Sequence, residues 1–172
     1  MEHIAKYIKD NKEDQVILIN EVAAYFWILN FLGKEIEVED LDVHVTSVKT
    51  LPQLITAWQM VLPKSVEFFY NTGKKMIGFR QFGNVDILDV YHNGLDLSNF
   101  VSVVTSEKYK KATGLERLNI QSLEGTIGAY EDKVREFEGK LAVANGPELL
   151  EAQSNLDRSL SRLQMLNAIA LE

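Results

Sequence analysis

The chain contains no cysteine. Disulfides, zinc–thiolate centres and thiol nucleophiles are therefore excluded. Long hydrophobic runs are also missing. The longest apolar stretch, VAAYFWILNFLG at 22–33, lies between polar segments and is too short to cross a bilayer. The first residues, MEHIAKYIKDNKEDQ, have no apolar core of signal-peptide length, so a cytoplasmic protein without a membrane partner is expected. Positive charge is in deficit. Eighteen basic residues stand against 25 acidic ones, a net charge of −7, which argues against a surface that coats nucleic acid. No Walker-type phosphate loop and no serine–histidine–acid order is present. Internal repeats and low-complexity tracts are absent too.

What remains is an ordinary globular composition, with 46% apolar and 25% charged residues in 172. Residues 2–12 carry Ile4, Tyr7 and Ile8 at helical spacing. QVILIN (15–20) reads as a short buried strand or a helix start, and 21–33 as a buried helix ended by Gly33. Residues 35–48 alternate, which predicts a strand. Leu51, Leu54, Ile55, Trp58, Val61 and Leu62 mark an amphipathic helix closed by Pro63. Residues 65–94 read as a β-meander with turns at Thr72-Gly73 and near Gly83. Residues 96–114 are expected to be helix and loop, followed by a short apolar link. The rest is helical and broken at Gly146-Pro147. This order predicts an α+β fold, a mixed sheet flanked by helices with a C-terminal helical hairpin. A core over 1–121 and a helical segment over 122–172 are expected.

One stretch resists a purely structural reading. EVEDLDVHV (37–45) sets Asp40, Asp42 and His44 on one face of the expected strand and Leu41, Val43 and Val45 on the other. The polar face is either wet or holds a cation. Two carboxylates spaced two apart suit a hard divalent ion such as magnesium. Downstream, NVDILDVYH offers Asp86 and Asp89, which point to opposite faces of a regular strand. With Asp86 beside Asp40 and Asp42, the three carboxylates would make a metal site for phosphoryl or nucleotidyl transfer.

The sequence of strand, buried helix, DxD strand and third-acid strand resembles the nucleotidyltransferase superfamily. It looks closest to small bacterial and phage members related to abortive-infection toxins. The resemblance covers about 15–127 and, more weakly, 158–172. VILINEVAAYFWI stands at the family's glycine pair, EDLDVHV at its DxD strand and NVDILDVYHNGLDL at its third acid. LNIQSLEGTIGAYE matches the family's short strand and following helix. The resemblance implies a nucleotidyltransferase-like fold, magnesium held by Asp40, Asp42 and Asp86, and an NTP as substrate. If phage-encoded, the protein could also reside in a virion.

The departures are as specific. Asn20 and Glu21 occupy the positions of the glycine pair, where side chains now stand near the expected phosphates. The family's lysine falls near Tyr130, which leaves Lys133 as the substitute cation. Residues 130–156 read as an insertion. Two functions follow. In one, the protein transfers a nucleotidyl group from an NTP to a protein, RNA or small-molecule hydroxyl, with Asp40 and Asp42 on metal and Asp86 as base and ligand. In the other, an inactive relative serves as a structural or interaction subunit, such as part of a phage assembly. Residues 122–172 would then contact a protein partner or a second copy.

Overall fold

The computed structural model describes residues 1–81, 85–92 and 99–172, with the side chains of Val85 and Asp86 outside the described set. The turns expected near Gly83 and at Asn93-Gly94 lie outside these residues. Among the described residues, six helices surround one seven-stranded mixed sheet. In chain order they are α1 (Glu2–Asp10), β1 (Gln15–Ile19), α2 (Asn20–Leu32), β2 (Asp42–Thr46) and α3 (Leu51–Val61). Next come β3 (Glu67–Asn71), β4 (Met76–Gln81), β5 (Val85–Tyr91), β6 (Phe100–Val104), α4 (Glu107–Thr113) and β7 (Arg117–Gln121). Finally, α5 (Leu123–Val143) and α6 (Pro147–Ala170) form the C-terminal pair. Strand order is β3-β4-β5-β2-β1-β7-β6.

The α+β expectation holds, with two corrections. Residues 35–41 alternate like a strand, yet β2 begins only at Asp42. Their backbone is engaged by side chains instead: the Glu39 amide donates to Glu21, and the Glu37 carbonyl accepts from Arg162. Second, 100–104 is an edge strand paired antiparallel with β7, where helix and loop were expected. Its alternation is short, and only Val101 and Val103 pack on the core.

One face of the sheet is apolar. Val16 and Leu18, Val43 and Val45, Ile77 and Phe79, Leu88 and Val90, and Leu118 and Ile120 line it. Helices α1 and α3 cover this face, and the Tyr7 and Trp58 rings stack at 3.8 Å. Helix α3 starts on a reciprocal cap between Thr50 and Gln53, which satisfies amides that would otherwise lack partners. Helix α2 is apolar almost all round because it is covered on two sides. Val22 joins the sheet core, whereas Ala24 and Ile28 pack against Tyr130, Leu166 and Ile169 of the C-terminal pair.

Glycine matters most at Gly78. It lies opposite Phe69 on the other sheet face, and a Cβ there would meet the Phe69 ring at 2.1 Å. The ring closes over the bare backbone, and the Arg80 guanidinium sits 4.2 Å from its centre.

A buried ion pair fastens the C-terminal helices to the core. Arg162 Nη1 on α6 lies 2.6 Å from Glu21 Oε1 in the first turn of α2, with both side chains almost wholly enclosed. Arg162 Nη2 donates to the Glu37 carbonyl, and Glu21 Oε1 accepts from the Glu39 amide at 3.2 Å. One guanidinium thus joins α6, α2 and the segment leading to β2.

Removing one member of this pair leaves the other charge buried alone. Arg162→Ala is expected to destabilise the fold by about 3–5 kcal/mol in urea denaturation. The double replacement Glu21→Leu with Arg162→Met should recover most of that loss, because no charge is then stranded. Gly78→Ala should cost about 1–3 kcal/mol by displacing Phe69, measured in the same way.

Candidate functional site

The opposite sheet face is polar at its centre. Pairing register places Asp42 and His44 of β2 beside Asp89 and Tyr91 of β5, on parallel neighbouring strands. Ile19 and Ile17 of β1 flank them on the other side. Asp42 is the first residue of its strand, and the adjoining Leu41 carbonyl accepts from the Asp89 amide at 2.9 Å. The two carboxylate-bearing positions are thereby held level with each other.

Asp42 is buried, at 6% exposure. Burial pushes its carboxyl up to about 6, and the nearby Asp40 and Glu21 charges push in the same direction. A hydrogen bond from Asn20 Nδ2 to Asp42 Oδ2 at 3.1 Å and the field of Lys133 oppose that rise. Lys133 reaches this site from α5, and its Nζ lies 5.1 Å from the centre of the Tyr130 ring. Tyr91 reports the same concentration of charge. Burial raises its phenol pKa first, and then Asp42, Asp89 and Asp40 add to the shift.

His44, on the face read as wet or cation-holding, is buried at 2% exposure. Burial, assisted by His92, lowers its pKa to about 4, so the ring is neutral at pH 7. Among the described residues neither ring nitrogen has a hydrogen-bond partner.

The junction between β1 and α2 borders this face. Asn20 opens the helix with φ of 55°, in the left-handed region that glycine enters freely and asparagine better than most other residues. The turn therefore has a glycine-type backbone with an asparagine in it. Its amide donates to Gln121 Oε1 at 3.0 Å, and the Gln121 carbonyl accepts from Trp27 Nε1 at 2.9 Å. Glu21, the next residue, points to Arg162 rather than toward the polar face.

The structure sorts the candidates from sequence. Asn20 touches Asp42, and Lys133 lies within electrostatic reach of it. Asp40 is exposed just before β2, within electrostatic reach of both Asp42 and Tyr91. Glu21 is spent in the buried pair. Asp86 pairs through its backbone with Arg80, and its side chain is outside the described residues. The residue that β5 sets level with Asp42 is Asp89. A register irregularity on β5 breaks the regular alternation assumed between Asp86 and Asp89. Sequence reasoning missed Tyr91, Gln121 and Arg162, since nothing local marks them.

The other residues have structural settings. Trp58 is core, and the basic cluster Lys108, Lys110 and Lys111 lies exposed on α4, with Lys110 paired to Glu116. Tyr109 between them packs edge-on against Phe26, and His92 stacks on Tyr70.

Among the described residues no three histidine or acidic side chains converge closely enough to hold a metal ion alone. No described helix is long and apolar enough to cross a membrane.

No family model and no curated protein matches the chain. Among solved structures, the chain is similar to the Megavirus polyadenylate synthase, with 11% identity and a TM-score of 0.57. That match covers 98% of this chain and 34% of the other, so the chain spans about a third of that protein. A nucleotidyltransferase-like antigenic protein from Paracoccidioides brasiliensis shares 12% identity over 98% of this chain and 82% of its own, with a TM-score of 0.44. The mixed sheet, its flanking helices and the C-terminal helical pair make a nucleotidyltransferase-like fold.

Proposed function

We propose that the polar face binds an NTP with magnesium and that the protein transfers the nucleotidyl group to a hydroxyl acceptor. The observation that carries this reading is the level placement of Asp42 and Asp89 beside the glycine-type turn at Asn20, with Lys133 in electrostatic reach. Asp42 and Asp89 would hold the ion, with Asp40 and Asp86 as the further carboxylates nearest in the chain. Such an ion would supply charge neutralisation on the phosphates and polarisation of the α-phosphoryl group.

The chain's own groups have distinct tasks. The N-terminus of α2 presents its dipole toward the phosphates. Pairing with Arg162 turns the Glu21 carboxylate away and partly offsets the negative charge that would otherwise oppose them. Lys133 offers a mobile cation to the same groups. An acceptor oxygen would attack the α-phosphorus, the bond to the β-phosphate oxygen would break, and pyrophosphate would leave. The acceptor proton would pass to a carboxylate of the row. The acceptor class is a protein, RNA or small-molecule hydroxyl, and small bacterial and phage members of the superfamily provide the model for such a compact enzyme.

A second reading has its own observation. The Asn20 amide is already taken by Gln121, as expected of an inactive relative that serves as a subunit of a larger assembly through 122–172. Calorimetry with magnesium and each NTP separates the two. The enzymatic reading expects micromolar binding and label transfer, with turnover lowered about a thousandfold in Asp42→Asn. Absence of binding by all four NTPs would leave the subunit reading.

Asp42 also has a cost that its role explains. Its folded pKa of about 6 lies above the usual 3.8, so the fold favours the protonated form. Stability contributed by that form is fully present below about 3.8 and declines as pH rises to about 6. Asp42→Asn should therefore raise stability by about 2–3 kcal/mol at pH 7. The gain should fade toward pH 4, as followed by thermal melts across pH.

A further inference from the structure

Building on the reading of this face as a nucleotide site, we propose that Asn20 determines which ligands enter it. It holds the site closed on itself, and a magnesium–nucleotide must displace two contacts made by this one residue.

The backbone supplies the first part of the argument. At φ of 55° glycine would be the least strained choice, so asparagine is not required by the turn. Its side chain does something glycine could not: Nδ2 donates to Asp42 Oδ2 at 3.1 Å. That oxygen belongs to a carboxylate that would hold the ion in the proposed site. An ion bound to that oxygen would compete with the amide hydrogen for its lone pairs.

The second contact closes the phosphate side. A helix's first amides have no partner within the helix and are the groups that receive anions. Here the first of them, Asn20 N–H, is occupied by Gln121 Oε1 at 3.0 Å. Gln121 is held in place in turn. Its Cγ lies 3.1 Å from where a Cβ on Gly125 would sit, so the bare backbone of Gly125 leaves it room.

A third observation marks the face as one that takes a ligand. Two residues along the same face of β2, His44 is 2% exposed, and both its nitrogens lack partners among the described residues. A buried, unpartnered imidazole beside a self-satisfied carboxylate leaves hydrogen-bonding capacity for an incoming group. Asn20 sets the threshold for that entry. A cation alone displaces only the side-chain contact, and a phosphate alone only the amide contact. A metal–triphosphate complex releases both.

The test compares the full-length protein with Asn20→Gly. Manganese binding alone is measured by electron paramagnetic resonance, and binding of magnesium with a non-hydrolysable ATP analogue by calorimetry. Circular dichroism checks that the variant remains folded, which the left-handed turn favours. Asn20→Gly should bind manganese at least about tenfold tighter, the factor carried by one hydrogen bond to a charged group. It should also bind the analogue tighter than the unaltered protein. Equal or weaker binding by the variant, where the unaltered protein binds, would overturn the role of Asn20 and leave the nucleotide site standing. Failure of both proteins to bind either probe would overturn both.

Discussion

Arg162 and Glu21 meet across 141 residues of chain in a space that neither could occupy charged and alone. An isolated charge there would cost several kcal/mol in lost hydration. Paired, and with the Glu37 carbonyl and Glu39 amide as further partners, the two become a joint. The joint fixes the start of α2, the approach to β2 and the position of α6 together. Because α5 packs against α6 and α2, it also sets where Lys133 can stand. Most of what surrounds the polar face hangs from this contact.

That face is organised by opposed electrostatics. Carboxylates outnumber cations near Asp42, and burial strengthens every interaction among them. Asp42 is driven toward its protonated form, Tyr91 is held protonated, and His44 is kept neutral. A folded protein selected only for stability would place apolar side chains here, as it does on the opposite face of the same strands. Retaining titratable groups at a stability cost is characteristic of a site that gains its counter-charge from a ligand. Beside these groups, the turn at Asn20 takes a left-handed conformation that glycine enters more freely than asparagine.

Much of the architecture was legible in the residues. Helices announced themselves by apolar spacing and by their ends, Gly33, Pro63 and Gly146-Pro147. The meander was visible through its β-rich segments and the turn at Thr72-Gly73, and the polar face through Asp42 and His44 alternating with Val43 and Val45. Residues 35–41 misled because alternation describes a chain that can join a sheet, not whether a partner strand lies beside it. Those residues found side-chain partners from α2 and α6 instead. At the third acid, the simple alternation counted from Asp86 to Asp89 does not apply, because the pairing register of β5 slips between them, and the Asp86 side chain lies outside the described residues.

The local order of residues determined which groups are chemical and which are packing, because side-chain periodicity and chain punctuation are properties of neighbouring positions. Tertiary structure alone decided which of those groups meet. Asp89 stands by Asp42 through strand register, Gln121 takes the Asn20 amide from 101 residues away, and Arg162 disarms Glu21 from the far end of the chain. Such meetings depend on the packing of whole elements. No short window of sequence contains both partners.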